Sequence, residues 1–200
     1  IFGAVFESTL NPETRRKEGM HYTSVANIHK VIDPLFLDAL KARLAEAKAI
    51  PERKRRDAAL RAFIDKLASL TFLDPACGSG NFLTETFICL RRLENEALAL
   101  LLGGQSVLDF DGSSVKVSIH QFHGIEYNDF ACRVAQTALW IAENQMLRET
   151  EALLHRNLDF LPLKTYSGIV EGNALRIDWA TLAPHFDYII GNPPFVGGKM

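Results

Sequence analysis

Basic charge, cysteine and long apolar runs are all scarce in this 200-residue chain, and each shortage removes a class of function. The formal net charge is −2 and the pI about 6.3, so the chain lacks the basic footprint of a self-sufficient nucleic-acid binder. Its three cysteines, Cys77, Cys89 and Cys132, form no Cys-x-x-Cys pair and have no histidine at metal-ligand spacing; no disulfide framework and no metal is expected. A reducing, cytoplasmic setting fits. No apolar run approaches the roughly 18 residues of a membrane helix, and the opening residues lack a leader pattern. No Pro-Asp…Asp/Glu-x-Lys nuclease constellation is present. The chain starts at Ile1 rather than Met, as a piece of a longer protein would.

What is abundant is core material, 48% hydrophobic against 23% charged residues, enough for one sizeable globular core. The stretch Thr71-Phe72-Leu73-Asp74-Pro75-Ala76-Cys77-Gly78-Ser79-Gly80-Asn81-Phe82 organises it. An apolar run, Leu70 to Leu73, reads as a strand covered on both faces. It enters a glycine turn and leaves as an amphipathic helix. Gly78 and Gly80 permit positive φ and close approach to a ligand, and the helix start offers unpaired amides. Asp74 at the strand end would repel a phosphate and suits an ammonium group. No Lys-Ser/Thr pair follows the glycines, which excludes a nucleoside triphosphate loop.

Ahead of this turn the chain reads as helical. Phe2 to Glu7 suggests a short helix, and Arg15-Arg16-Lys17 a charged surface loop within reach of phosphate. Ser24 caps a helix to about Ile32; Asp33-Pro34 then opens a second one carrying Phe36, Leu40 and Leu44. Pro51 opens a third, with Leu60, Phe63, Ile64 and Leu67 inward and Arg53 to Arg56 at an amino end where cations oppose the dipole. The boundary falls at 69/70: a helical segment over 1–69, then an α/β unit over 70–200.

Beyond the turn, a helix runs from Asn81 to about Leu102 and stops at Gly103-Gly104. An insertion over 105–114 follows, then a strand, or a strand's approach, over Val115–Ile119. Gln121 to Tyr127 is the second strand. Asn128 or Asp129 caps a helix to about Leu147, offering Phe130, Val134, Leu139 and Ile141 to the core. Ser167–Val170 and Phe186–Ile190 are the third and fourth strands. This alternation predicts a parallel, doubly wound sheet with its polar residues at the carboxyl ends of strands, where such sheets bind ligands. Four strands leave the last as an exposed edge, a surface for self-association.

Two of those strand ends carry chemistry. Glu126 closes the second strand, where an acid accepts ribose hydroxyls, though well beyond the roughly 20-residue spacing of dinucleotide folds. Asn192-Pro193-Pro194-Phe195 follows the fourth. Each proline fixes its own φ and drives the preceding residue to extended geometry, so the carbonyls of Asn192 and Pro193 are preset. The Asn192 side-chain amide oxygen and the Pro193 backbone carbonyl can then accept both hydrogens of a planar NH₂ and draw its nitrogen toward sp³, freeing the lone pair. This is catalysis by positioning and electrostatics, because an amide is no base. Phe195 offers a flat face on which a base stacks.

In this order the residues resemble the amino-methylating DNA methyltransferases that use S-adenosylmethionine, in the gamma arrangement. His21-Tyr22-Thr23-Ser24 resembles motif X, Asp74 to Phe82 motif I, Gly124-Ile125-Glu126 motif II and Asn192 to Phe195 motif IV. The stretch from Phe2 to Met200 is similar to the modification region of single-chain restriction-modification enzymes of Type IIG character. The resemblance implies a Rossmann-like class I methyltransferase fold, of which these residues supply the first four strands. It implies that Tyr22 and Thr23 close over the cofactor and that Asp74, Pro75, Ala76, Cys77, Gly78, Gly80, Asn81 and Phe82 seat its methionine end. Glu126 and Tyr127 take the ribose. The family's acid for the cofactor adenine is replaced by Asn173, beside Ala174, with Asp178 as the second candidate. Cys77 is a packing residue, and Trp140 and Trp179 are core or pocket wall.

The implied reaction methylates N6 of an adenine flipped from double-stranded DNA, because its amino group is inaccessible while stacked and paired. Cytosine N4 is disfavoured, since those enzymes more often carry Ser in place of Asn192. A protein-glutamine N5-methyltransferase is the rival, because a glutamine amide is also a planar NH₂. DNA would be gripped mostly by parts outside this chain. These 200 residues alone are expected to bind S-adenosylmethionine weakly and to methylate little.

Overall fold

A computed structural model describes residues 23–103, 115–154, 166 and 168–194. The expected features at Phe2–Glu7, Arg15–Lys17, His21, Tyr22, 105–114, Ser167 and Phe195 lie outside them.

The helical segment opens where its cap predicts. Ser24 takes extended geometry and its hydroxyl accepts from the Asn27 amide, starting α1 (Val25–Ile32). Asp33-Pro34 does not restart the helix. Residues Asp33–Leu37 form one π-helical turn, in which the Asp38 amide reaches back to the Asp33 carbonyl, and the chain continues directly as α2 (Asp38–Lys48). A wider turn tolerates a residue that lacks an N–H and whose ring crowds the preceding turn, so Pro34 distorts the helix without ending it. Helix α3 (Arg53–Ser69) buries the expected stripe of Leu60, Phe63, Ile64 and Leu67. At its amino end Arg53 and Arg55 face Asp57 and Glu52 at 3.7 and 3.8 Å, so both cations already have local carboxylates.

Strands β1 (Phe72–Asp74), β2 (Phe122–Glu126), β3 (Ile169–Glu171) and β4 (Tyr188–Ile189) form one all-parallel sheet in the order β3, β2, β1, β4. Register places Phe72 between Phe122 and Tyr188. Their rings stack across the sheet at 5.0 and 5.5 Å, with Phe36 from the π turn and Phe87 closing over them at 5.4 and 5.6 Å. One aromatic layer therefore joins the helical segment to the sheet, and the boundary at 69/70 runs through a continuous core. On the opposite face His123 meets Phe186 at 5.5 Å, and Ile189 on the edge strand is 54% exposed.

Helix α4 (Asn81–Leu102) spans the predicted residues, and α5 (Asp129–Leu154) packs along it. The Asn128 side chain caps α5 through the Ala131 amide, as expected. The helix runs a further two turns past Leu147, and Phe130, expected in the core, is 60% exposed. A buried polar network explains the extension. Arg91 pairs with Glu94 and donates to the Thr150 hydroxyl at 2.6 Å; that hydroxyl donates to Asn95 at 2.8 Å. Burying an ion pair requires such complete satisfaction, and Thr150 supplies it only if α5 continues. Glu94 also accepts from the Lys116 and Val117 amides, which ties residues 115–118 to α4 and outside the sheet. Gln121 donates to the carbonyls of both Leu67 and Leu70, satisfying the buried end of α3.

Candidate functional site

Strands β2 and β3 lie to one side of β1 and β4 to the other, so the strand order reverses between β1 and β4. The carboxyl ends at such a reversal open a crevice where α/β sheets bind ligands. Asp74 ends β1 and is almost completely buried; Gly191 and Asn192 follow β4 beside it. The two loops touch. A Cβ on Gly191 would sit 2.4 Å from Asp74 Oδ1, so only glycine permits this approach.

Asp74 is an unusual acid. Its Oδ1 accepts from the Ala76 amide at 3.0 Å, and among the described residues no basic side chain pairs with it. Burial pushes its carboxyl up to about 7, the Ala76 amide opposes that, and the Glu126 carboxylate adds to it. Among the described residues the crevice thus holds two acids and no cation, a setting that an ammonium-bearing ligand would complete.

The glycine turn is built as expected and fixed in ways that spacing alone does not show. Gly78 and Gly80 both take positive φ, 54° and 78°. The Gly80 amide donates to the Cys77 carbonyl, and its own carbonyl accepts from Thr84 to start α4. A Cβ at Gly80 would lie 3.0 Å from Ala135 Cβ on α5. Gly80→Ala in the full-length protein is therefore expected to cost at least about 1–2 kcal/mol from the left-handed backbone alone, read as a lower urea midpoint. Cys77 is buried; its thiol is held well above the ordinary range by that burial and would lie 2.9 Å from a Cβ on Gly124. It packs the turn against β2.

Glu126 grips the turn from β2. Its Oε2 accepts from the Gly78 amide at 2.8 Å and its Oε1 from the Asn128 amide at 3.0 Å, while each oxygen keeps a further lone pair. Phe82 is buried, Pro75 and Ala76 are half-buried in the turn, and the Asn81 amide donates to Ser79 at 3.1 Å. Tyr127 is 79% exposed beside them.

Asn173 and Asp178 follow β3, and the Gly172 amide just past that strand donates to the Glu126 carbonyl. Each side chain already caps its own turn. Asn173 Oδ1 accepts from Leu175 at 2.9 Å and Asp178 Oδ1 from Ala180 at 3.0 Å. Next to Asp178, Trp179 donates its indole N–H back to the Ala174 carbonyl, stapling the loop. Thr23, placed by the start of α1, meets the far end of the chain: Asn192 Nδ2 lies 3.4 Å from Thr23 Oγ1.

Three groups outside this crevice had no sequence signal. His29 on α1 meets Glu85 and Cys89 on α4, three ligand atoms of a kind that bind metals, drawn together across 60 positions of sequence. Glu85 and Cys89 lie one turn apart on α4, and only helix packing brings His29 to them.

Comparison with known proteins agrees with this architecture. Residues 48–200 match the family model described as MmeI, DNA-methyltransferase domain. The chain is 40% identical over its full length to DNA methyltransferase A of Bacillus subtilis, of which it spans 22%. It superposes with a TM-score of 0.87, at 43% identity, on the Type IIL restriction-modification enzyme MmeI solved in complex with DNA; 98% of this chain and 26% of that one are covered. This chain therefore spans about a quarter or less of the relatives it matches.

Proposed function

Because the chain belongs to the MmeI DNA-methyltransferase domain family, we propose that it is the cofactor-binding and catalytic half of a restriction-modification methyltransferase that methylates adenine N6 in double-stranded DNA. The observation that carries this reading is the contact between the Asp74 carboxylate and the Gly191-Asn192-Pro193-Pro194 loop at the strand-order reversal. An acid suited to a cationic cofactor and an amide suited to an amino group then share one crevice.

The residues fit S-adenosylmethionine: a buried acid without a basic partner, a turn with two left-handed glycines, and an acid at the end of the neighbouring strand. Asp74 and the amides of the 75–82 turn would hold its methionine end, Glu126 its ribose, and Asn173 or Asp178 its adenine through a remaining acceptor lone pair. When bound, this cofactor supplies an electrophilic methyl group. Thr23 engages Asn192 Nδ2, which leaves Oδ1 as the atom that accepts a hydrogen of the target amine. The Pro193 carbonyl accepts the other, and Phe195 stacks on the base. Neither group removes a proton before attack; both hold the nitrogen where its lone pair is available.

Membership of a DNA-methyltransferase family favours DNA over a glutamine side chain. No helix among the described residues is long and apolar enough to cross a membrane, and a cytoplasmic site of action goes with the substrate. Incubating the full-length parent with labelled cofactor should place label in N6-methyladenine of duplex DNA. Label confined to a release-factor glutamine peptide would overturn the assignment.

A further inference from the structure

From His29, Glu85 and Cys89 we infer a structural site for a zinc-class divalent cation that clamps α1 to α4. The three ligand atoms lie 3.2 Å (His29 Nε2 to Glu85 Oε1), 3.8 Å (Cys89 Sγ to Glu85 Oε1) and 4.0 Å (Cys89 Sγ to His29 Nε2) apart. With metal–ligand bonds of about 2.0–2.3 Å, tetrahedral angles place such atoms roughly 3.3–3.6 Å apart. Closing the triangle requires shifts of a few tenths of an ångström, within reach of side-chain rotation.

The donor set is mixed nitrogen, oxygen and sulfur, which suits zinc and excludes magnesium or calcium, whose ligands are oxygens. A second observation supports a ligand role for His29. Its Nδ1 is bonded to Asp33 Oδ1 at 2.8 Å, the carboxylate–histidine arrangement that orients a metal-binding imidazole and aims Nε2 at the ion. Glu85 and Cys89, four apart on α4, present their side chains to the same spot. Cys89 is buried, whereas His29 keeps 31% of its side chain exposed, which leaves an entry route and a fourth position for water.

The location gives the ion a structural task. Thr23 lies directly before α1, and Glu85 lies one turn into the helix that the glycine turn starts. An ion joining them fixes Thr23 relative to both the turn and Asn192. This consequence rests on the methyltransferase reading; the binding itself does not.

Cobalt(II) tests the site directly, because a thiolate ligand gives it an intense charge-transfer band. Metal-free full-length protein titrated with cobalt(II) chloride should develop that band and saturate at one ion attributable to Cys89. Cys89→Ser should abolish it, and Asp33→Asn should weaken affinity by about ten- to hundredfold while keeping the spectrum. Asp33 is partly exposed on the helix surface, so its variant carries the test if Cys89→Ser fails to fold. Absence of the band, its survival in Cys89→Ser, or unchanged affinity in Asp33→Asn would overturn the site, whatever the methylation assay reports.

Discussion

Asn192→Ala in the full-length parent is expected to lower turnover by about 10²–10³-fold or more, with cofactor affinity nearly unchanged. The backbone around position 192 does not depend on its side chain. Gly191 is packed against Asp74, and Pro193 and Pro194 fix the chain on the other side. Alanine therefore removes one acceptor without moving the Pro193 carbonyl. On the role proposed for Asn192, the interaction lost is one with the reacting nitrogen, and such a loss appears in kcat. The link to Thr23 is long, 3.4 Å, and exposed, so its loss adds little. Single-turnover methylation alongside calorimetric cofactor binding would separate the two quantities. Equal loss of both would show that Asn192 organises the cofactor pocket and does not act on the target base.

The contrast between Asn192 and His29 shows what sequence order can carry. Asn-Pro-Pro after an apolar strand is a local pattern, and its preset backbone follows from the dihedral restrictions of three adjacent residues. The glycine turn is legible for the same reason: both positive φ angles fall on glycines, and α4 starts at Asn81 as its pattern requires. The contacts between distant elements are not local. Thr23 touches Asn192 across 169 positions, and His29 reaches Glu85 across 56. No periodicity encodes either distance. Pro34 is a different failure, since a proline after an acid reads as a helix start, while tertiary packing of Phe36 against Phe72 keeps the helix going through a π turn. Likewise the end of α5 is set by the Arg91–Thr150 network and not by its own sequence.

Asp74→Asn is expected to separate stability from function, with opposite signs at the same pH. In the ligand-free protein the Asp74 carboxyl is raised to about 7, chiefly by burial. The folded state thus binds its proton more tightly than the unfolded chain, whose aspartates titrate near 3.9. The stabilisation is full below that value, is lost as pH rises toward 7, and changes no further above it. Asparagine keeps the acceptor for the Ala76 amide and is never ionised, so at pH 8 the ligand-free variant should unfold at a higher denaturant concentration than the parent. Cofactor binding should move the other way. If Asp74 must ionise to receive an ammonium, affinity in the parent falls about tenfold per pH unit as pH drops below 7. The variant should show no such slope, and at pH 8 should bind about ten- to hundredfold more weakly, the loss of one charge-assisted hydrogen bond. Denaturant melts and cofactor titrations over pH 5 to 9 measure both. A variant that is less stable at pH 8, or that binds the cofactor as the parent does, would mean that Asp74 braces the turn and does not serve as the cofactor's acid.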